Sequence, residues 1–220
     1  MRILVLGFAL VSTAILAGAA TADHLDPQER LRASDQKRAS AMVVRRTDLP
    51  AGFGPERTSG LEPHFGCRAL DESDLVLTAR ATSPYWAHEY QVVKSSAAIY
   101  RTAADSRAAW QRETSSAGLE CVRSEFRKEF ARQGETVRVT IRPLSFPRLS
   151  VSANRYRLSI SGTSPPGQPP LLFIDVVVLR HGRAQVGLLF AGVVSPPPSA
   201  SERALSEVVA RRMRTAMRRA

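Results

Sequence analysis

The chain has 220 residues, of which 31 are Lys or Arg and 20 are Asp or Glu, so its formal charge at pH 7 is +11. Hydrophobic residues make up 44% and charged residues 23%. This composition is globular and excludes a wholly disordered chain, a collagen and a polytopic membrane protein. Two cysteines exclude a disulfide-dense miniprotein and a four-cysteine zinc site.

The first 22 residues have the pattern of a secretory signal peptide. Met1 and Arg2 form a short basic start, an apolar stretch without acidic residues follows, and Ala20-Thr21-Ala22 satisfies the small-x-small cleavage rule. We therefore expect cleavage after Ala22 and a secreted or extracytoplasmic protein. The alternative is a retained anchor helix, for which an apolar stretch of this length is borderline.

After the signal peptide, residues 23–42 predict a polar lead-in or linker. Within it, residues 30–40 predict a weak helix or a linker, because they offer little apolar surface to bury. A single domain is expected over residues 43–220. Its predicted elements follow in chain order. They are a strand at 75–80, an extended region at 88–100, helices at 103–115 and 119–133, strands at 137–141, 149–160, 171–179 and 186–190, and a helix at 200–219.

Three details refine these elements. The apolar phase slips within 149–160, which predicts a β-bulge near Asn154. His181-Gly182 predicts a tight hairpin turn. Ser199 and Glu202 have the spacing of a helix-capping pair.

The strands cluster instead of alternating with helices, which favours an α+β fold. We expect an antiparallel sheet of about five to six strands. Two central helices and a C-terminal helix should cover one of its faces.

Cys67 and Cys121 are the two cysteines. In an exported protein they predict a disulfide. The alternative is a cysteine nucleophile paired with a histidine base, but no Cys-His motif surrounds either residue.

The sequence predicts no catalytic residue, no metal site and no cofactor. The four histidines lack metal-ligand spacing, and no phosphate-binding loop or nucleophile-elbow motif occurs. A hydrolase without a recognised motif remains an alternative. It would require a serine or an aspartate beside His64 or His88.

Two residues are candidates for ligand binding. Asp175 interrupts the most apolar predicted strand, so its carboxylate must be paired or face water. One interpretation is a salt bridge to Arg155 or Arg157 on a neighbouring strand, and the other is a polar group on the floor of a cleft. Trp86 is interpreted as a partly exposed aromatic anchor in a loop.

The last helix carries a cationic patch of five arginines. They are Arg211, Arg212, Arg214, Arg218 and Arg219. One interpretation is the solvated face of a packed helix, and the alternative is association with an anionic membrane or wall polymer. Nucleic acid is not an expected partner, because export separates the protein from it, and no oligomeric state is predicted.

Several motifs occur together in this chain: a Leu-Pro-Ala-Gly-Phe turn at 49–53, the Ile-Tyr-Arg-Thr-Ala-Ala-Asp segment at 99–105, the two cysteines, and a strand pair before an Arg-rich helix. This arrangement resembles exported actinobacterial sensor-domain proteins, similar to the extracellular sensor domain of mycobacterial serine/threonine kinases. The resemblance covers about residues 43–219. It implies an α+β domain with a cleft and an unidentified ligand, and it supplies no catalytic residue.

The expected function is therefore that of a secreted, non-enzymatic domain that binds a small molecule or a component of the cell envelope. The alternatives are a cationic protein that associates with anionic surfaces and an unrecognised hydrolase.

Overall fold

The computed structural model describes residues 25–56, 66–149, 151–162 and 172–218. The predicted signal peptide and its cleavage site lie outside these ranges, as do His64 and Arg219.

Nine strands and four helices make up the described part of the chain. The strands are β1 (Gln28–Glu29), β2 (Gly54–Glu56), β3 (Val76–Thr82), β4 (Tyr85–His88), β5 (Gln91–Tyr100), β6 (Val137–Leu144), β7 (Ser152–Gly162), β8 (Leu172–His181) and β9 (Ala184–Val193). The helices are α1 (Ala33–Met42), α2 (Ala103–Thr114), α3 (Ser116–Arg132) and α4 (Ser199–Arg218).

All nine strands belong to one sheet. Seven lie in the order β1-β3-β5-β9-β8-β7-β6, while β2 pairs with β4 and β4 with β5. β1 runs parallel to β3 and the other pairings are antiparallel. The α+β class is therefore confirmed, but the sheet is mixed and has more strands than expected.

The helices cover both faces of the sheet, so the expectation of one covered face is wrong. On the first face, α1 and α4 pack against Ile99, Val177 and Leu188. On the second face, α2 packs beside Tyr100 and Leu77. Strand residues alternate between faces, and strands covered on both sides become apolar along their whole length. This explains the nearly unbroken apolar sequence of β8.

The second half of the segment expected to be a linker forms α1 and contributes to the core. Within α1, Ala39 and Met42 are fully buried. Asp35 is also buried and forms an ion pair with Arg183 at 3.1 Å and a hydrogen bond from Thr78 at 2.7 Å. Burial would raise the pKa of Asp35, but the hydrogen bonds from Arg183 and Thr78 hold it below its usual value. The sequence allowed a weak helix here but did not predict its burial, because its contacts depend on a buried charge.

The first central helix begins at Ala103, where the sequence predicts, and the second begins at Ser116, three residues before its predicted start. The Thr102 hydroxyl accepts a hydrogen bond from the Asp105 N–H at 3.0 Å, and the Ser115 hydroxyl accepts one from the Gly118 N–H at 2.9 Å. Each satisfies a helix-terminal donor. The predicted disulfide is present and connects Cys67, in the segment before β3, to Cys121 in α3.

The predicted bulge near Asn154 is wrong. β7 and β8 pair without interruption from Ser152–Arg180 to Ile160–Leu172. The apolar phase slips in the sequence because both faces of β7 are covered, and because one of these faces carries the two arginines that bind Asp175. The hairpin between β8 and β9 is confirmed, and Gly182 adopts a φ of +57° in its turn.

Candidate functional site

A cluster of four charged side chains lies between the sheet and α4. Asp175 is completely buried on β8 and faces two arginines of β7. Its carboxylate accepts hydrogen bonds from Arg157 at 2.6 Å and from Arg155 at 2.8 Å. Arg155 also contacts Glu202 of α4 at 2.7 Å. The salt-bridge interpretation of Asp175 is confirmed.

The two carboxyl groups of this cluster have opposite pKa shifts. Burial would raise the pKa of Asp175, but the hydrogen bonds from Arg157, Glu202 and Arg155 lower it. Burial, followed by the hydrogen bond to Asp175, raises the pKa of Glu202 to about 8. Two close carboxylates resist ionising together, so one proton is retained here at neutral pH. Glu202 is therefore part of the core and not the capping residue that its spacing predicted.

The other candidate, Trp86, does not lie in an exposed loop. It belongs to β4, is 8% exposed and packs in the core on the face of α1 and α4. Asp175 lies on the same face. The candidates that the sequence suggested therefore sit in the packed interior.

An open cavity of about 240 Å³ lies on the opposite face of the sheet, beside α2. Part of its lining consists of two rows of residues that run across β3, β5 and β9. They are Arg80, Ala98 and Gln185 in one row and Thr82, Ser96 and Gly187 in the other. Neither Asp175 nor Trp86 lines this cavity.

The smallest residues of these rows create the space. Gly187 contributes no side chain, and a Cβ atom placed there would lie 3.2 Å from the Ser96 hydroxyl. Ala98 adds only a methyl group beside it. Larger residues at these positions would fill the volume between the sheet and α2, so the cavity is a direct consequence of residue size.

The end of the cavity near α2 is acidic. Glu113 of α2 and Tyr100 of β5 both line it, and Gln185 donates a hydrogen bond to the Glu113 carboxyl at 2.5 Å. Tyr100 donates to Glu72 at 2.9 Å. Burial and the neighbouring Glu72 charge raise the pKa of Glu113 to about 8. Burial likewise raises the pKa of Glu72, and burial with the Glu72 charge raises that of Tyr100.

None of these cavity residues was predicted from the sequence. The available signal was weak: Gln185 and Gly187 occupy alternate positions of an otherwise apolar strand, opposite Ala98 and Ser96. Glu113 gave no signal, because a glutamate on an amphipathic helix is ordinarily solvated.

The arginines of the last helix do not form one free patch. Arg212 pairs with Asp48 through two contacts of 2.6 and 2.5 Å and also donates to the Val43 carbonyl. Arg211 and Arg218 are exposed, and Arg214 is half-buried. At least one of the predicted surface cations is thus a structural contact between α4 and the segment after α1.

His88 stacks near Phe53, with ring centroids 5.4 Å apart. Among the residues that the structure describes, no hydrogen bond or ion pair joins His88 to a serine or an aspartate.

No helix in the described ranges is long and apolar enough to cross a bilayer.

Comparison with known proteins finds a similar fold among solved structures. The chain is similar to the extracellular domain of PknH from Mycobacterium tuberculosis, with a TM-score of 0.50 and 10% sequence identity. The match covers 81% of this chain and 96% of that domain. At this identity the likeness shows a shared fold. No family model matches the sequence, and no curated protein matches it.

Proposed function

We propose that this protein is an extracytoplasmic, non-enzymatic domain that binds a small molecule or a component of the cell envelope in the cavity beside α2. The observation that carries the proposal is the cavity itself, which combines small and apolar residues with a few polar groups, Gln185 and Glu113 among them. Ligand sites have this character. Its volume of about 240 Å³ is below the roughly 300–1,000 Å³ of sites for drug-sized ligands. The ligand is therefore small or extends out of the opening.

Three observations support an extracytoplasmic location. The first 22 residues have a signal-peptide pattern. The Cys67–Cys121 disulfide is of a kind that persists in oxidising compartments. The similar PknH structure is an extracellular domain.

Binding is favoured over catalysis by the surroundings of Glu113. Its hydrogen-bond partner is the Gln185 carboxamide, a group that does not exchange protons at neutral pH. An acid used in catalysis is instead expected to face a nucleophile or a reacting atom.

Native mass spectrometry tests the proposal on protein purified from the organism that encodes it. We expect a mass excess in the folded protein that disappears on denaturation. Gly187→Leu should abolish this excess, because its side chain occupies the cavity. Gln91→Leu is the matched control, since it adds the same side chain at an exposed position on the other face of the sheet. An equal mass excess in Gly187→Leu and wild type, or none in wild type, would contradict the proposal.

A further inference from the structure

The cavity has a polar group whose bonding is incomplete. Gln185 is 5% exposed, and its Nε2 donates to Glu113. Its Oε1 is buried and accepts no hydrogen bond from the residues that the structure describes. A buried acceptor without a donor carries a free-energy penalty. The acidic end of the cavity therefore lacks a donor.

The carboxyl groups of Glu113 and Glu72 at this end form no ion pair with any residue that the structure describes. The nearby guanidinium groups are engaged elsewhere: Arg112 binds Asp74 at 2.6 and 2.8 Å, and Arg183 binds Asp35.

Arg80 also lines the cavity, in the row of Ala98 and Gln185, and its guanidinium contacts Glu29 at 3.0 Å. Among the described residues, it forms no ion pair with Glu113 or Glu72.

We propose that the cavity selects an organic cation, a primary ammonium group on a short apolar body, and this rests on the proposed function. The ammonium group would donate to Gln185 Oε1 and to the Glu113 carboxylate. The apolar body would lie against Leu77, Ala98 and the bare backbone of Gly187. A charge-assisted pair of this kind is stronger than a neutral hydrogen bond. An anionic ligand would instead meet Glu113 and Glu72.

Binding such a cation is coupled to proton release. Glu113 has a pKa of about 8 without ligand, so it is largely protonated at pH 7. An adjacent ammonium group favours its ionised form. The other titratable or charged groups at this end are Glu72 and Asp74 before β3, Tyr100 on β5 and Arg112 on α2. Affinity should therefore rise as the pH increases from 6 to 8.

Three probes of equal chain length test the inference: n-hexylamine, 1-hexanol and sodium hexanoate. Calorimetry at pH 7 in buffers of different ionisation enthalpy gives both affinity and proton release. We expect n-hexylamine to bind at least about tenfold more tightly than 1-hexanol, the effect of one charge-assisted contact of about 1.4 kcal/mol. We also expect release of about one proton.

Glu113→Gln should remove both the preference and the proton release, while its amide oxygen can still accept the bond from Gln185. Glu129→Gln, which removes an exposed carboxylate of α3, should retain both. Gly187→Leu should abolish binding of every probe.

Equal binding of n-hexylamine and 1-hexanol, tighter binding of hexanoate, or binding of no probe would overturn the cationic ligand. So would n-hexylamine binding that is unchanged in Gly187→Leu. The mass-spectrometric comparison of wild type and Gly187→Leu decides the proposed function independently. A mass excess that this variant abolishes would preserve the binding cavity even if the ammonium preference fails.

Discussion

Each face of the sheet carries a glutamate with a raised pKa, but the groups around the two glutamates differ. On the face of α4, the buried Glu202 lies beside Asp175 and two arginines, so positive groups of the fold stand next to it. On the face of α2, Glu113 has an amide and a second carboxyl group nearby. The pKa is raised to about 8 in both. A raised pKa therefore does not distinguish a structural carboxyl from a candidate site, whereas the presence of a counter-charge and of open space does.

The largest expected effect on stability comes from removing the Asp175 carboxylate on the α4 face. Asp175→Ala leaves Arg155 and Arg157 without their shared carboxylate, and we expect a loss of about 3–5 kcal/mol of unfolding free energy. Chemical denaturation measures it. Glu207→Gln removes a carboxylate from an exposed ion pair with Arg203 and should cost less than about 1 kcal/mol. Similar losses in the two variants would show that the cluster is not structurally important.

Removing the Cys67–Cys121 disulfide tests how much of the stability of the face covered by α2 and α3 depends on a covalent bond. It closes a sequence separation of 54 residues. The double variant Cys67→Ser, Cys121→Ser should lose about 2–4 kcal/mol on the chain-entropy argument. Thermal and denaturant unfolding of the variant and of wild type measure the effect. Equal melting temperatures would contradict it.

The pH dependence of stability sharpens the comparison, because both faces contribute to it. Glu113 and Glu202 have folded-state pKa values of about 8 against an ordinary value of 4.5. The folded protein therefore retains protons that the unfolded chain releases above pH 4.5. It follows that the contribution of these two groups to the unfolding free energy falls as the pH rises from about 4.5 to about 8, and that it levels off above that pH.

Glu113→Gln and Glu202→Gln should each flatten this fall, and the double variant should flatten it further. Denaturant unfolding at pH 5, 7 and 9 provides the measurement. A fall of unchanged steepness in both single variants would show that neither residue holds its proton in the folded state.

The smallest expected effect is a difference in stability between variants of two neighbouring arginines of α4. Arg212→Gln breaks the bidentate pair with the buried Asp48, whose pKa is held low despite burial by the hydrogen bonds from Arg212 and the Arg45 backbone. We expect a loss of about 1–3 kcal/mol. Arg211→Gln, at an exposed position, should change stability by less than about 0.5 kcal/mol. Indistinguishable unfolding curves for the two variants would contradict the assignment.

The sequence predicted the elements with strong periodicity and clear end signals. The helix after Thr102 and the hairpin at Gly182 formed as expected, because their determinants are local. The sequence predicted α1 only as a weak helix or a linker and missed its burial, since Asp35 is stabilised by Arg183, which lies far along the chain. Asp175 was correctly paired with β7, but sequence spacing could not show that Glu202 joins the same cluster.

Sequence periodicity could not predict the cavity. It depends on the register that places Ala98 opposite Gln185 and Ser96 opposite Gly187, and on the approach of α2 to that region. Alternation identifies which residues share a face, but it does not reveal which helix covers them.

The contacts of α1 and its following segment also constrain the order of folding. Asp35 needs Arg183, 148 residues later, and Asp48 needs Arg212, 164 residues later. During synthesis the early helix therefore emerges long before its partners exist. A topology dominated by such distant pairings folds slowly, so the nascent chain stays incompletely assembled until its last helix is made.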